Sequence, residues 1–488
     1  MKKLLLLLLL LACFSNAYSQ NKNINAYFSY ASFHIPGQSS FIETYLAVKG
    51  TSVVFKKMEN GDYQSSIEIT MIFRQQNAIV DFAKYELKSP SVKDTNAVNF
   101  GFIDQQRFAL KDGEYDLEIN ILDLNSSSPG FKSNDKISLS FPADKIHISG
   151  IQLLESFTKS TKETILTKSG YDLIPLVYAF YPESDKTINF YTEIYNTDKI
   201  IGPNEQFVVN YYIESFENPK RMLEFFTRRK MNTSPAAILL QKMDISKLPS
   251  GNFQLVIEVR NSQNDLEAIN KVFFQRSNPS IQYNLGDIAS ISIENTFASK
   301  INNPDTLIDC LMSLTPISTE AERNFATSLV NLGDKKNMQK YLFNFWNNRD
   351  NANPSKAWDK YYLEVRKVNA AYKTKTKKGY QTDRGRVYLK YGPPNQLTES
   401  YSEPGAYPYE IWHYYTLGDQ RNKKFVFTSK DMVTNDFILI HSDAIGELFN
   451  YRWQLDIYKR TWDPTSIDQA APEDTWGNKA TDYYNQPR

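Results

Sequence analysis

The feature that most constrains this chain is an internal echo. Leu110-Lys-Asp-Gly-Glu-Tyr-Asp-Leu-Glu-Ile-Asn-Ile-Leu-Asp123 is matched by Leu248-Pro-Ser-Gly-Asn-Phe-Gln-Leu-Val-Ile-Glu-Val-Arg-Asn261. Each copy runs Leu, two residues, Gly, polar, aromatic, polar, Leu. The glycine serves a turn, and the period-2 run serves a half-buried strand. Upstream, Phe41–Tyr45 answers to Phe190–Tyr195, and the strand-like Ser66–Phe73 answers to Gln206–Ile213. Order and spacing agree. The expectation is two tandem β-sandwich domains of immunoglobulin-like type, at 22–148 and 149–277. The 31 Tyr and 30 Phe favour strands throughout. Such modules serve as spacers or interaction units, and the fold by itself implies no chemistry.

The pattern changes after about residue 280, giving a mixed but mainly β chain. A helical segment is expected over 285–375. Asn303-Pro304-Asp305 and Ser318-Thr319-Glu320-Ala321-Glu322 read as helix starts, and Gly333-Asp334 as a break. Lys335–Trp346 carries Met338, Tyr341, Leu342 and Phe345 on one face. After Asn353-Pro354, a third helix aligns Trp358, Tyr361, Tyr362, Val365, Val368 and Tyr372. That stripe suits packing on neighbouring helices or, alternatively, a partner groove. An antiparallel α+β domain follows over 376–460, with strands expected at Arg386–Tyr391, Tyr409–Tyr415, Lys424–Thr428 and Asp436–His441. The polar tail, 461–488, reads as mobile, with Trp476 as a docking point. All six Trp fall at or after Trp346, so the C-terminal third is compositionally distinct.

At the N-terminus, Lys2-Lys3, the leucine run Leu4–Leu11 and Ala17-Tyr18-Ser19 form a secretory signal (residues 1–19), too short to span a bilayer at roughly 20 apolar residues. Cleavage after Ser19 gives a periplasmic or outer-membrane-associated protein. The alternative is lipidation at Cys13. After cleavage Cys310 stands alone, so no internal disulfide forms; its apolar neighbours suit a buried thiol. Export removes nucleic acid from the partner list, and a net charge of +1 favours no partner class.

Residues 379–395 read Gly-Tyr-Gln-Thr-Asp-Arg-Gly-Arg-Val-Tyr-Leu-Lys-Tyr-Gly-Pro-Pro-Asn. This resembles the signature of the GWxTD-domain family of exported bacterial proteins. The match takes in Gly379, Thr382, Asp383, Arg384, Gly385, Arg386, Tyr391, Gly392, Pro393 and Pro394, with Tyr409-Glu410-Ile411-Trp412 further on. The name-giving Trp is Tyr380 here. The resemblance implies an envelope protein and brings no established activity. Read physically, Thr382 or Asp383 caps a turn or accepts backbone N–H bonds. Asp383 pairs with Arg384 or Arg386, and Gly385 takes a left-handed position before a strand. The alternatives make Asp383, Arg384 and Arg386 a site for an anionic or carbohydrate group, or make Asp383 catalytic. Between residues 360 and 390 a run of ten Lys and Arg is balanced only by Glu364 and Asp383. It suits lipid headgroups, glycan or an acidic protein, or else a solvated helix end.

The four His have no metal-ligand spacing, and P-loop, nucleophile-elbow and dinucleotide motifs are absent from the sequence. No cofactor is expected. The expectation is a non-enzymatic envelope protein that docks envelope protein partners in assembly, secretion or surface organisation. The rival is a glycan-directed hydrolase or glycan-binding module centred on the motif, with Trp412 as one aromatic platform.

Overall fold

The computed structural model describes residues 24–127, 130–217, 219–281, 291–403, 405–431, 434–450, 452–458 and 479–485. The signal, Cys13, Trp462 and Trp476 lie outside them. The chain divides into two compact units, one built on Glu43–Ser140 and one holding Tyr30–Ile42 and most of the chain from Phe141 onward. No helix among the described residues is long and apolar enough to cross a membrane.

The first sandwich has strands β1 (Ala26–His34), β2 (Ser40–Lys49), β3 (Ser66–Gln75), β4 (Ala78–Lys88), β5 (Gly101–Ala109), β6 (Gly113–Asp123) and β7 (Phe131–Leu139). They form a three-stranded sheet, β1-β2-β5, and a four-stranded one, β4-β3-β6-β7. On β3, Ile67, Ile69, Met71 and Phe73 are fully buried while their neighbours face outward, the alternation that fixes register. Each such side chain contributes roughly 1.5–3 kcal/mol on burial.

The second sandwich repeats this plan. After β8 (His147–Ile148) come β9 (Gln152–Lys159), an inserted β10 (Thr167–Lys168), β11 (Tyr171–Pro175) and β12 (Phe180–Tyr181), then β13 (Thr187–Tyr195), β14 (Gln206–Ser215), β15 (Arg221–Asn232), β16 (Ala236–Asp244), β17 (Gly251–Arg260) and β18 (Leu266–Arg276). One sheet runs β8-β13-β9-β11-β10 with β16 on β13; the other runs β12-β18-β17-β14-β15. Without the insertion, β9, β13 and β16 correspond to β1, β2 and β5, and β15-β14-β17-β18 to β4-β3-β6-β7. The sequence echoes therefore fall on equivalent strands: β2 with β13, β3 with β14, β6 with β17. The copies differ at one corner. Tyr115 at the start of β6 donates its hydroxyl to Lys111 O at 2.7 Å, and Phe253 occupies the equivalent place without a hydroxyl. His147 and Ile148 pair with Tyr195 and Ile194, so β8 belongs to the second sandwich and not to the end of the first.

Beyond residue 290 the helices form where the capping chemistry predicts. These are α1 (Pro304–Met312), α2 (Glu320–Leu332), α3 (Lys335–Arg349) and α4 (Pro354–Tyr372). Asn303, Asp334 and Asn353 cap α1, α3 and α4, and Thr319 with Glu322 forms a full capping box on α2. Gly333 ends α2 in the left-handed region at φ 69°. Arg349 clamps Glu322 with two 2.9 Å bonds, tying α3 to the start of α2. The α4 stripe packs on Phe345, Trp346 and their neighbours; Cys310 is buried there, and burial pushes its thiol up to about 12.

Arg386–Tyr391 is not a strand. It is the body of α5 (Asp383–Tyr391), capped by Thr382. The four-stranded sheet begins instead at β19 (Gln396–Ser400) and continues β20 (Tyr409–Leu417), β21 (Gln420–Thr428) and β22 (Ile438–Ser442), in that spatial order. Two layers cover it. The front holds Val387, Trp412, Phe425 and Phe427 with Tyr372, Tyr388 and Tyr391 of α4 and α5. The back holds Tyr409, Ile411, Val426 and Ile440 with α6 (Trp453–Ile457) and α7 (Ala480–Asn485). Helix α7 corrects the expectation of a wholly mobile tail: Ala480 is fully buried.

Candidate functional site

The motif forms the joint between α4, α5 and the sheet. Two glycines make that joint possible. A Cβ on Gly379 would sit 2.1 Å from Val368 O, and one on Gly385 would sit 1.9 Å from Gly379 O. Gly385 is helical, not left-handed as expected; it is glycine because backbones meet there. Thr382 spans the approach, donating its hydroxyl to Gly379 O at 2.7 Å and accepting from Gly385 N at 3.1 Å.

Tyr380 lies with its ring among Val365, Val368 and Leu389 and donates its hydroxyl to Asp309 Oδ1 of α1 at 2.7 Å. Lys378 Nζ reaches the same oxygen at 2.7 Å. The phenol thus supplies a donor of its own where the motif names Trp. Tyr380→Phe is expected to destabilise the protein by about 1–2 kcal/mol, read by urea unfolding, because Asp309 loses a largely buried partner.

The charged residues all turn inward. Asp383 Oδ2 accepts from Leu439 N of β22 at 2.8 Å, pairing with neither Arg384 nor Arg386. Arg384, only 5% exposed, binds Glu410 Oε1 at 2.6 Å and Asn435 O at 2.9 Å, with its guanidinium 4.2 Å from the Phe437 ring centre. Glu410 also accepts from Trp412 Nε1 at 3.0 Å and Tyr401 hydroxyl at 3.1 Å. Arg386 grips Glu447 through bonds of 3.0 and 2.8 Å, and Lys390 Nζ and Tyr391 hydroxyl reach Glu447 at 2.9 and 2.8 Å. Gly392 ends α5 at φ 84°, and its carbonyl accepts from Tyr414 hydroxyl at 2.9 Å. Pro393 and Pro394 then carry the chain into β19, where Asn395 N donates to His413 O at 2.9 Å. The turn therefore joins helix to strand, not strand to strand.

Burial alone would raise the Glu447 pKa. Arg386 and Lys390 overcome it and hold the group down to about 2. A carboxylate lowered on folding stabilises above its unfolded value of about 4.5, and that contribution is lost as pH falls toward 2. Acid titration of stability should show a loss of about 3 kcal/mol across this window, and Glu447→Gln should flatten it.

Glu410, Glu447 and Asp309, the acids that complete the joint, were not anticipated. Glu410 stands beside Trp412 in the second matching stretch, a cue that was available. Glu447 and Asp309 have no local signal. The basic run is also far less free than its sequence suggests: Lys367, Lys377 and Lys378 pair with Glu364, Asp436 and Asp309, and Arg384, Arg386 and Lys390 are taken up as above. Lys360, Arg366, Lys373 and Lys375 are exposed and make no ion pair among the described residues.

Chemically, the charged groups of the joint are paired within the domain, with the buried Arg384 Nε left without a hydrogen-bond partner. Two clefts in the second unit, of about 200 and 430 Å³, are lined by residues such as Glu217, Asn252, Gln275 and Arg323, and Tyr178, Tyr181 and Asp185; neither includes a motif residue. Trp412 and Trp453 are buried and offer no aromatic platform. Among the described residues no group of three His, Cys, Asp or Glu is placed to hold a metal ion.

Comparison with known proteins adds the following. No curated protein matches the chain. Among solved structures, the fibronectin(III)-like modules of Clostridium thermocellum CbhA are similar at 9% identity, over 50% of this chain and 89% of that one, with a TM-score of 0.15. The BSP domain of a biofilm associated protein is similar at 9% identity, over 56% of this chain and 55% of that one, with a TM-score of 0.18. The sequence model of the GWxTD domain matches residues 282–455, a range that takes in helices α1–α5 and the four-stranded sheet. Residues 282–455 are a GWxTD domain, and the chain belongs to the proteins that carry one.

Proposed function

We propose that this is a non-enzymatic cell-envelope protein that works by protein–protein docking in assembly, secretion or surface organisation. The observation that carries this reading is the inward commitment of the motif: Asp383, Arg384 and Arg386 each bind a partner within the domain. A hydrolase built on Asp383 needs a second carboxylate across a cleft that admits a water, and a glycan-binding site needs an exposed ring. The buried Trp412 and the saturated Glu410 support neither. Two sandwiches in tandem with a C-terminal domain suit a spacer-and-module plan. The exposed Lys360, Arg366, Lys373 and Lys375 suit a secondary contact with lipid headgroups or glycan.

The reading includes export by the signal at residues 1–19, to the periplasm or outer membrane, with cleavage after Ser19 in preference to lipidation at Cys13. Mass measurement of the mature N-terminus separates the two. In-cell crosslinking and co-purification from envelopes, with Asp383→Asn alongside, tests the function. A stoichiometric envelope partner retained by a folded Asp383→Asn protein is expected. Recovery of the protein with no stable envelope partner counts against the reading.

A further inference from the structure

The back of the GWxTD sheet is covered by a short helical segment. Helix α7 is six residues long, and a helix of that length has no stability of its own in water. It is ordered by what it lies against. Ala480, Tyr483 and Tyr484, spaced i, i+3, i+4, form its inner face, packed among Tyr409, Ile411, Trp453 and Tyr458. Ala480 has no solvent exposure. Tyr484 lies 5.0 Å from the Trp453 ring, with Lys424 Nζ 4.6 Å from its own ring centre.

The polar contacts are equally specific. Glu403 accepts from Lys479 N at 2.8 Å, and Tyr458 hydroxyl accepts from Ala480 N at 3.2 Å. Tyr409 and Tyr458 both donate their hydroxyls to Glu403, which orients that carboxylate. His441 Nδ1 accepts from Asn450 N at 3.1 Å, which leaves Nε2–H to donate to Tyr484 hydroxyl at 2.9 Å. Residues 459–478 connect the segment to α6. A segment covalently joined to the domain it lies against competes intramolecularly with any free partner.

We propose that this aromatic groove is a peptide-docking site, that Lys479–Asn485 is its tethered and displaceable occupant, and that its partner is a segment of another protein presenting an alanine followed three and four residues on by tyrosines. The partner chemistry is read from the segment already seated there. The inference rests on the docking reading above and gives it a location. A free partner segment competes with the tethered one and gains access as a helix in a groove.

The test uses the full-length chain with Tyr483→Ser and Tyr484→Ser, which empties the groove, and a labelled peptide of residues 479–488 added in trans. Fluorescence anisotropy should show saturable binding to this variant and at least tenfold weaker binding to the wild type. Peptide carrying Ala480→Glu should not bind. Where the double variant melts earlier than the wild type, full-length Ala480→Glu replaces it. A folded, emptied chain that binds no peptide overturns the inference, as does equal binding by emptied and wild-type chains. A wild-type chain that dimerises through its C-terminal segment overturns the assignment in cis. Envelope co-purification separates the two readings: a captured partner with no peptide binding sinks the groove alone, and peptide binding with no captured partner sinks the docking function alone.

Discussion

Gly385→Ala is expected to cost at least about 4 kcal/mol and to unfold the GWxTD domain under conditions where the sandwiches persist. The new methyl would lie 1.9 Å from Gly379 O, 2.7 Å from Gly379 C and 2.7 Å from Val368 Cγ1. The first two are backbone atoms, so no rotamer change relieves the contact. The α5 helix must lift from α4, and with it go the Thr382 bridge and the anchorage of Arg384. Ordinary overpacking of a core costs about 1–3 kcal/mol because side chains give way; here they cannot. Gly392→Ala is the internal comparison. It has no atom within 4 Å of its added methyl and suffers only from φ 84°, a strain of about 1–3 kcal/mol. Tryptophan fluorescence during urea unfolding reads this domain selectively, because all six Trp lie at or after residue 346. Equal midpoints for the two variants would contradict the close backbone approach.

Glu410→Ala should cost about 3–5 kcal/mol by the same measurement. The loss comes mainly from stranding Arg384, which is 5% exposed and whose 2.6 Å partner is removed, and then from the unpaired Trp412 Nε1. Replacing both members by apolar residues, Arg384→Met with Glu410→Leu, should recover much of it, because no buried charge is then left alone. The Trp412 indole would still lack its acceptor, at about 1–3 kcal/mol, whereas the Tyr401 hydroxyl keeps Glu399 Oε1 at 2.9 Å. A cost below about 1 kcal/mol for Glu410→Ala would mean that the pair is solvated and the joint is held by packing alone.

The parts that could be read in the sequence are those governed by local rules. The strand echoes located equivalent strands of two sandwiches because strand patterning leaves a visible trace over ten residues, as in the alternating burial of β3 and β6. Helix starts were legible at Thr319 and Asn353 because a cap uses residues within one turn. The misreading of Arg386–Tyr391 has a plain cause. Val387 and Leu389 alternate with polar neighbours, yet Arg384, Val387, Tyr388 and Tyr391 also fit a helical face, and over six residues the two periods cannot be told apart. The cap at Thr382 was the deciding cue, and it was read only as a turn. The role of Asp383 was half legible: a backbone acceptor, but for a strand 56 residues away. Glu447, 61 residues from Arg386, leaves no trace in sequence spacing.

The placement of α7 has a consequence for the order in which the protein acquires its structure. Each sandwich is closed by strands near in sequence, so each can complete itself as the chain emerges N-terminus first. The GWxTD domain cannot. Its front is covered by helices that precede the sheet, and its back by Ala480, Tyr483 and Tyr484, which follow the last strand, Ile438–Ser442, in the chain. Until those residues are made, the face bearing Trp453 and His441 stays open although every strand of the sheet is already present, so the sheet is covered on its back later than it is paired.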